Sequence, residues 1–385
     1  MTTWHIVDAE AIWVKEFAAA LAASTPTKIW IPRRSITGAF QNWEREEAIP
    51  DPPSHVLRFP LQRGFARLPF PLFSRIASRL AARLAAHSED PARSPLVCTS
   101  PYYAPLATRW PGPVIYYVTD LNVAYENAVP SFIRALERRI CPVAALVCPN
   151  SRRIGEYLAS EAGCDRGKIE ILPNATRACN ISPVCLWQPS ALPADVSDLP
   201  RPVIGVIGNL AGNMNWESLA EVVRRTPDFS WVFVGPTEMR IRDRKQSRTR
   251  EWLKNRGGRV RFTGPKPYGE LQEYARAFDA AVLPYRRIEP TFSGSATRFY
   301  EHLAACRPIV ATRGVEELWR LEPLLRLADT PEEMVNALLE LRAVGFRDGQ
   351  EEARWKMSRT ATWGARASTM LQALSDRKAA KFAHQ

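Results

Sequence analysis

Between Phe278 and Thr312 the chain reads FDAAVLPYRRIEPTFSGSATRFYEHLAACRPIVAT, and three features of this stretch can do chemistry together. Ser293-Gly294-Ser295 stands where a polar loop opens a helix. First-turn backbone N–H groups and the positive end of the helix dipole suit an anion there, and the glycine permits its close approach. Arg298 follows one turn later with a planar guanidinium that can grip a diphosphate through two parallel hydrogen bonds. Glu301, three residues on, shares that helix face and offers a carboxylate to a ribose diol. Taken singly, these are a helix cap and a surface ion pair. Their combination on one strand–loop–helix–strand segment is what points to an anion-and-diol site.

A second candidate lies in the other half of the chain. Strand Val114–Val118 runs into Thr119-Asp120-Leu121-Asn122, so Asp120 stands at a strand's carboxyl end. A carboxylate there can take the proton of an attacking hydroxyl, or it can simply cap the following turn. Ser100-Pro101-Tyr102 and Lys15 are further candidates for acceptor or phosphate contact, and packing or solvation explains them equally well.

The elements that must position these residues alternate. WHIV, TKIWI, HVLRF, PLVCTS, VIYYV, ALVCPN and IEILPN read as short strands, with helices such as Pro69–Ala86 and Ser131–Arg139 between them. Residues 186–201 are rich in proline and lack an apolar period, which predicts a linker. VIGVIG, WVFVG, VRFTG, DAAVLP, PIVAT and LLRLA then restart the pattern. The expected fold class is α/β, with two doubly wound parallel sheets facing across a cleft. Residues 1–185 would form the first domain and 202–359 the second. A final helix over 360–385 would cross back to the first.

A length of 385 residues fits two domains of roughly 150 to 200 residues each. No apolar run approaches the roughly 20 residues of a membrane span, and the N-terminus lacks a secretory layout, so a cytoplasmic protein is expected. The seven cysteines show neither a C-x-x-C pair nor a zinc spacing, and most are expected to be buried and reduced. A net charge of +12 calls for an anionic partner: nucleotide diphosphate, acidic lipid or nucleic acid. No nucleic-acid reading motif accompanies that charge, so no nucleic-acid partner is expected. Arg75, Arg79 and Arg83 recur every fourth residue beside Phe70, Leu72, Phe73, Ile76, Leu80 and Leu84. That is the layout of a basic amphipathic helix, which lies on an anionic membrane or is solvated beside a core face.

The C-terminal half resembles the donor domain of family 4-like GT-B glycosyltransferases. The likeness rests on Arg298, Glu301, His302, Leu303-Ala304-Ala305 and Pro308-Ile309-Val310-Ala311, with Val260–Lys266, Leu271 and Val234-Gly235-Pro236 upstream. Thr362-Trp363 and Arg366-Ala367 resemble the family's closing helix. The likeness covers about Pro202 to Leu374. It implies transfer of a sugar from a nucleotide-sugar co-substrate, a UDP-sugar by default, to a glycan or lipid-linked hydroxyl in envelope polysaccharide or glycoconjugate assembly. No other cofactor is implied. Glu301 would hold the ribose. Arg298 and the Ser293, Gly294 and Ser295 amides would hold the diphosphate, with Gly208, Asn209 and Gly235 close by. Gly264, Pro265, Lys266 and Leu271 would lie near the base.

Two positions depart from the pattern. Ser293 stands where retaining members often carry a second Glu, and Gly208–Asn213 has no cation. The stretch around Asp120, with Glu137 and Pro149-Asn150-Ser151, is similar to xanthan-type glucuronosyltransferases, in which an Asp at this position is the base. No D-x-D occurs, so metal-independent transfer is expected, with Arg298 and helix dipoles neutralising the leaving group. Two other readings stay open: a non-catalytic nucleotide-sugar binder, because of Ser293, and a sugar-nucleotide 2-epimerase. The epimerase would need acidic and histidine residues in the cleft, and His5, His55, His87 and His384 lie outside the donor domain.

Overall fold

The computed structural model describes residues 2–9, 11–32, 56–59, 70–125, 128–177, 188–239 and 241–383. Cys179, Cys185, His55, His384, the helix start expected at Pro69, the linker start at 186–187, and the side chains of Phe70, Leu72 and Phe73 lie outside the described residues. The chain divides into two compact units, Met1–Arg177 with Trp363–Gln385, and Ala178–Thr362.

The first unit runs β1 (Trp4–Val7), α1 (Ile12–Ala22), β2 (Thr27–Pro32), β3 (Val56–Phe59), α2 (Phe70–Ala85), β4 (Leu96–Cys98), α3 (Ala104–Ala107), β5 (Val114–Val118), α4 (Pro130–Val143), β6 (Ala144–Pro149) and α5 (Arg152–Ser160). Its six strands are all parallel, in the order β3-β2-β1-β4-β5-β6. Side chains alternate across a strand, and both faces here are covered. In β5, Val114, Tyr116 and Val118 enter one core, while Ile115 and Tyr117 enter the core on the opposite face.

The seventh expected strand, IEILPN, does not form. The chain at 169–174 follows β6 through Glu170 N to Val147 O and Leu172 N to Pro149 O, each 2.9 Å, but only Ile169 makes a bridge. Pro173 has no N–H to extend a ladder.

The second unit runs β7 (Val203–Ile207), α6 (Trp216–Arg225), β8 (Ser230–Val234), α7 (Arg244–Lys254), β9 (Val260–Gly264), α8 (Leu271–Ala277), β10 (Ala280–Leu283), α9 (Thr297–Ala305), β11 (Ile309–Ala311), β12 (Arg326–Leu327), α10 (Pro331–Ala343) and α11 (Glu351–Thr360). Its parallel sheet has the order β12-β11-β10-β7-β8-β9. Counted within each unit, both sheets follow the same 3-2-1-4-5-6 doubly wound order.

Local chemistry agrees with the helix boundaries. Thr330 and Glu333 form a reciprocal capping box ahead of Pro331 at α10, and Ser151, Asn215 and Asp243 cap α5, α6 and α7. The last helix, α12 (Trp363–Ala383), packs on α1. It places Trp363, Ala367, Met370 and Leu374 in the core with Ile6, Phe17 and Tyr117. Trp363 N donates to Thr176 O at 3.1 Å and Arg366 Nε to Pro173 O at 3.0 Å, anchoring its first turn.

The segment read as a linker is packed where it is described. Val196 and Leu199 join a core of the second unit, and Asp195 accepts hydrogen bonds from Tyr274 at 2.7 Å.

Candidate functional site

In the second unit β7 and β10 are neighbours, yet the chain leaves β7 for β8 on one side and β10 for β11 on the other. Loops diverging at such a switch point leave a crevice outside the carboxyl ends of the strands. The loop after β7 begins at Gly208, and the loop after β10 leads into α9, which carries Arg298 and Glu301.

Gly208 and Gly235 sit at φ 117° and 142°, the left-handed side that favours glycine. Gly208 N donates to Val234 O at 2.8 Å, and Gly235 N to Gly264 O at 2.9 Å. These bonds draw the ends of β7, β8 and β9 together. A Cβ on Gly208 would lie 2.4 Å from Arg298 Nε, and one on Gly235 would lie 2.0 Å from Gly208 O. Backbone alone fits there because Arg298 occupies the space.

Arg298 is 7% exposed. Its Nη2 donates to Asn209 O, and its guanidinium carbon lies 5.0 Å from the Tyr285 ring centroid. Its Nε is buried with no hydrogen-bond partner. Leaving such a donor unpaired costs about 1–3 kcal/mol, a cost that an acceptor from outside the chain would remove. His302, fully buried beside it, is pushed down to about 3 by burial and then by the Arg298 charge, so the imidazole is neutral.

Glu301 is 3% exposed and lies one turn beyond Arg298. The Tyr268 hydroxyl donates to its Oε1. Tyr268 was not singled out from the sequence, yet through it the loop after β9 reaches the site. From that same loop Lys266 places its ammonium 2.8 Å from Asp195 Oδ2, which holds it well above the usual lysine range. Pro265 is exposed, while Leu271 packs half-buried against a core of this unit. Asn209 is exposed and contributes its backbone carbonyl to Arg298.

Ser293-Gly294-Ser295 does not open the helix directly, since α9 begins at Thr297. Ser293 gives its N–H and hydroxyl to Glu289 at 3.2 and 2.7 Å, and Gly294 N donates to Thr291 O at 3.2 Å. Glu317 takes Ser295 Oγ at 2.8 Å, Ala296 N at 2.7 Å and the Tyr300 hydroxyl at 2.7 Å. A protein carboxylate thus holds the start of α9, where negative charge is stabilised by the helix dipole. Lying well outside the motif, it left no short-range signal.

In the first unit Asp120 is half-buried at the end of β5. Burial raises it to about 6 against hydrogen bonds from Tyr125 and Thr119, the latter at 3.3 Å. Asn122 Nδ2 donates to Asp120 O at 3.2 Å, and Asn150 Nδ2 donates to Thr119 O. Glu137 is fully buried and accepts from Tyr157 at 2.6 Å and Tyr116 at 3.3 Å, with Asn122 a further donor. Its part is to fix the Asp120 loop through Asn122. Ser100 caps the turn at Pro101–Tyr103. Lys15 is half-buried beside Glu16, whose carboxylate is clamped by Arg177 at 2.7 and 2.6 Å. Arg75, Arg79 and Arg83 are exposed on α2, while Ala77, Leu80, Ala81 and Leu84 face the core. Cys98, Cys141, Cys148, Cys164 and Cys306 are buried and unpaired in disulfides.

Among the described residues no three His, Cys, Asp or Glu side chains cluster to hold a metal, and no helix is long and apolar enough to cross a membrane.

The fold matches that of solved GT-B glycosyltransferases, and residues 201–343 match the glycosyl transferases group 1 family. The chain is 24% identical over 164 residues to the "putative teichuronic acid biosynthesis glycosyltransferase TuaH" of Bacillus subtilis (strain 168), covering 42% of this chain and 40% of that one. It is 27% identical over 192 residues to the 2-deoxystreptamine glucosyltransferase of Streptomyces kanamyceticus, covering 46% and 45%. The matches thus span less than half the length of either relative. Among solved structures, sucrose-phosphate synthase from Thermosynechococcus elongatus superposes with a TM-score of 0.70 at 18% identity over 99% of this chain and 100% of that one. Anabaena HepE in complex with UDP and glucose superposes with a TM-score of 0.67 at 15% identity over 97% and 99%.

The Asp120 environment predicts a pH signature. A carboxyl raised from its ordinary 3.8 to about 6 contributes stability below the lower value and loses it as pH climbs through the upper one. Asp120→Asn therefore gains thermal stability relative to wild type between pH 4 and pH 7. A difference in melting temperature that stays constant across that range contradicts this.

Proposed function

We propose that the protein transfers a sugar from a UDP-sugar to a hydroxyl of a glycan or lipid-linked acceptor, with the donor held by the second unit. The observation that carries this reading is Arg298: a buried guanidinium fitted against Gly208, with one N–H unpaired, at the switch point of the sheet that matches the glycosyl transferases group 1 family. In the bound state Arg298 takes the diphosphate and neutralises the charge that develops on it as the glycosidic bond breaks. Glu301, oriented by Tyr268, accepts the ribose hydroxyls. The Ser293 and Gly294 amides already have acceptors within the protein, which shifts phosphate recognition onto Arg298 and the backbone after β7. Gly264, Pro265 and Leu271 line the base side, with Lys266 bracing that loop through Asp195. Uridine as the base is supported by the UDP in the HepE complex.

Asp120 is the candidate base. With a pKa of about 6 it is ionised at neutral pH and close enough to neutrality to accept a proton efficiently. The resemblance around it to xanthan-type glucuronosyltransferases supports the same role. Transfer proceeds without a metal in this reading. Envelope polysaccharide or glycoconjugate assembly is supported by the relative named for teichuronic acid biosynthesis. A cytoplasmic protein working at the inner membrane face fits the exposed Arg75, Arg79 and Arg83. A non-catalytic nucleotide-sugar binder is the alternative, because Ser293 occupies the place of a second Glu.

With UDP-sugars and a polyprenyl-linked or free glycan acceptor, Asp120→Asn is expected to lose transfer by about 10²–10⁴-fold while retaining UDP binding, and transfer by the wild type is expected to survive EDTA. Wild-type protein that binds UDP-sugar yet neither transfers nor hydrolyses it establishes the alternative. The triple variant Arg75→Ala, Arg79→Ala, Arg83→Ala is expected to stop sedimenting with anionic liposomes at low salt, where wild type sediments. Equal sedimentation of both removes α2 as the contact.

A further inference from the structure

At the carboxyl ends of β10 and β11 lies a groove of about 450 Å³, within the size range of small-molecule sites and lined by three arginines, Arg286, Arg287 and Arg313. Its floor is tight: a Cβ on Gly314 would lie 2.3 Å from Tyr285 O, so the loops after the two strands meet backbone to backbone. Two of the arginines are committed. Arg286 pairs with Asp243 at 3.3 Å and donates to Gly212 O at 3.3 Å, and Arg313 pairs with Asp329 at 2.6 Å.

Arg287 differs. Its guanidinium carbon lies 4.7 Å from the Phe292 ring centroid and 5.2 Å from that of Trp319, and no carboxylate pairs with it among the described residues. Trp319 is itself fixed by Nε1 donating to Arg313 O at 3.1 Å. Aromatic faces restrain a guanidinium and leave its in-plane N–H fork available, the arrangement that recognises a phosphate or carboxylate bidentately.

We propose that this groove binds the anionic group, phosphate or carboxylate, of a monosaccharide-sized molecule, with Arg287 as its principal donor and Arg286 and Arg313 supplying positive potential. It is distinct from the Arg298 site but adjacent to it, because Tyr285, whose ring carries Arg298, is also one of the groove's lining residues. The proposal stands whether or not the second unit binds a nucleotide sugar.

The test is isothermal titration of the full chain with inorganic phosphate, glucose 6-phosphate, glucuronate and glucose, on wild type, Arg287→Ala, Arg287→Lys and Arg298→Ala. Saturable binding of glucose 6-phosphate or glucuronate, absent with glucose, is expected. Whichever of the two binds names the anionic group. Arg287→Ala is expected to weaken that binding about tenfold or more, Arg287→Lys to fall between, and Arg298→Ala to leave it unchanged. Arg287 is exposed, so its variants keep the fold, and they are expected to keep UDP binding if the wild type has it. The proposal is overturned if none of the anions binds, if glucose binds equally, or if Arg298→Ala abolishes the signal while Arg287→Ala spares it.

Discussion

Arg298 enters the interior of the second unit from α9 and rests against the backbone of Gly208, under the Tyr285 ring. Removing a guanidinium from water is costly unless partners replace the solvent. Here the Asn209 carbonyl and Tyr285, through its hydroxyl and its ring face, do so in part, leaving Nε over. Much of the local architecture follows from accommodating this side chain. Gly208 must lack a Cβ because Arg298 is there, and Gly235 must lack one because Gly208 is there. The 3-2-1-4-5-6 strand order is what lets the loop after β7 and the helix after β10 converge on one point.

Burial acts differently on the other titratable groups. His302 beside Arg298 and His5 in the first unit are both held neutral by burial, at about 3 and about 4. His5 is packed between the Trp30 and Trp110 rings, accepting from Trp30 Nε1 at 3.0 Å while Ser88 Oγ lies 2.6 Å from its other nitrogen. Glu137 is buried among hydroxyl donors and serves the fold. Asp120, less enclosed and on a loop, is the carboxylate whose ionisation falls near the working range. The two acids are joined through Asn122, so the rigid one positions the reactive candidate.

The alternation of strands and helices was legible because parallel strands buried on both faces read as short apolar runs. The placement of Arg298 and Glu301 one turn apart on a single helix was legible because helical spacing fixes it. Features built from distant residues were not. Glu317 lies well beyond the helix it holds, Tyr268 meets Glu301 only after β9 and α9 have folded together, and Asp195 braces Lys266 from a stretch that composition marks as a linker. Ser293-Gly294-Ser295 looked like a helix opening because its residue types suit one. The turn instead closes on Glu289 and Glu317, acceptors that local spacing does not reveal.

The central claim is that Arg298 is kept for a diphosphate. Isothermal titration of wild type and Arg298→Ala with UDP and with uridine tests it most directly. Wild type is expected to bind UDP far more tightly than uridine. Arg298→Ala should lose about tenfold or more of the UDP affinity while its uridine affinity is unchanged. Equal UDP affinity in the two proteins would contradict the account.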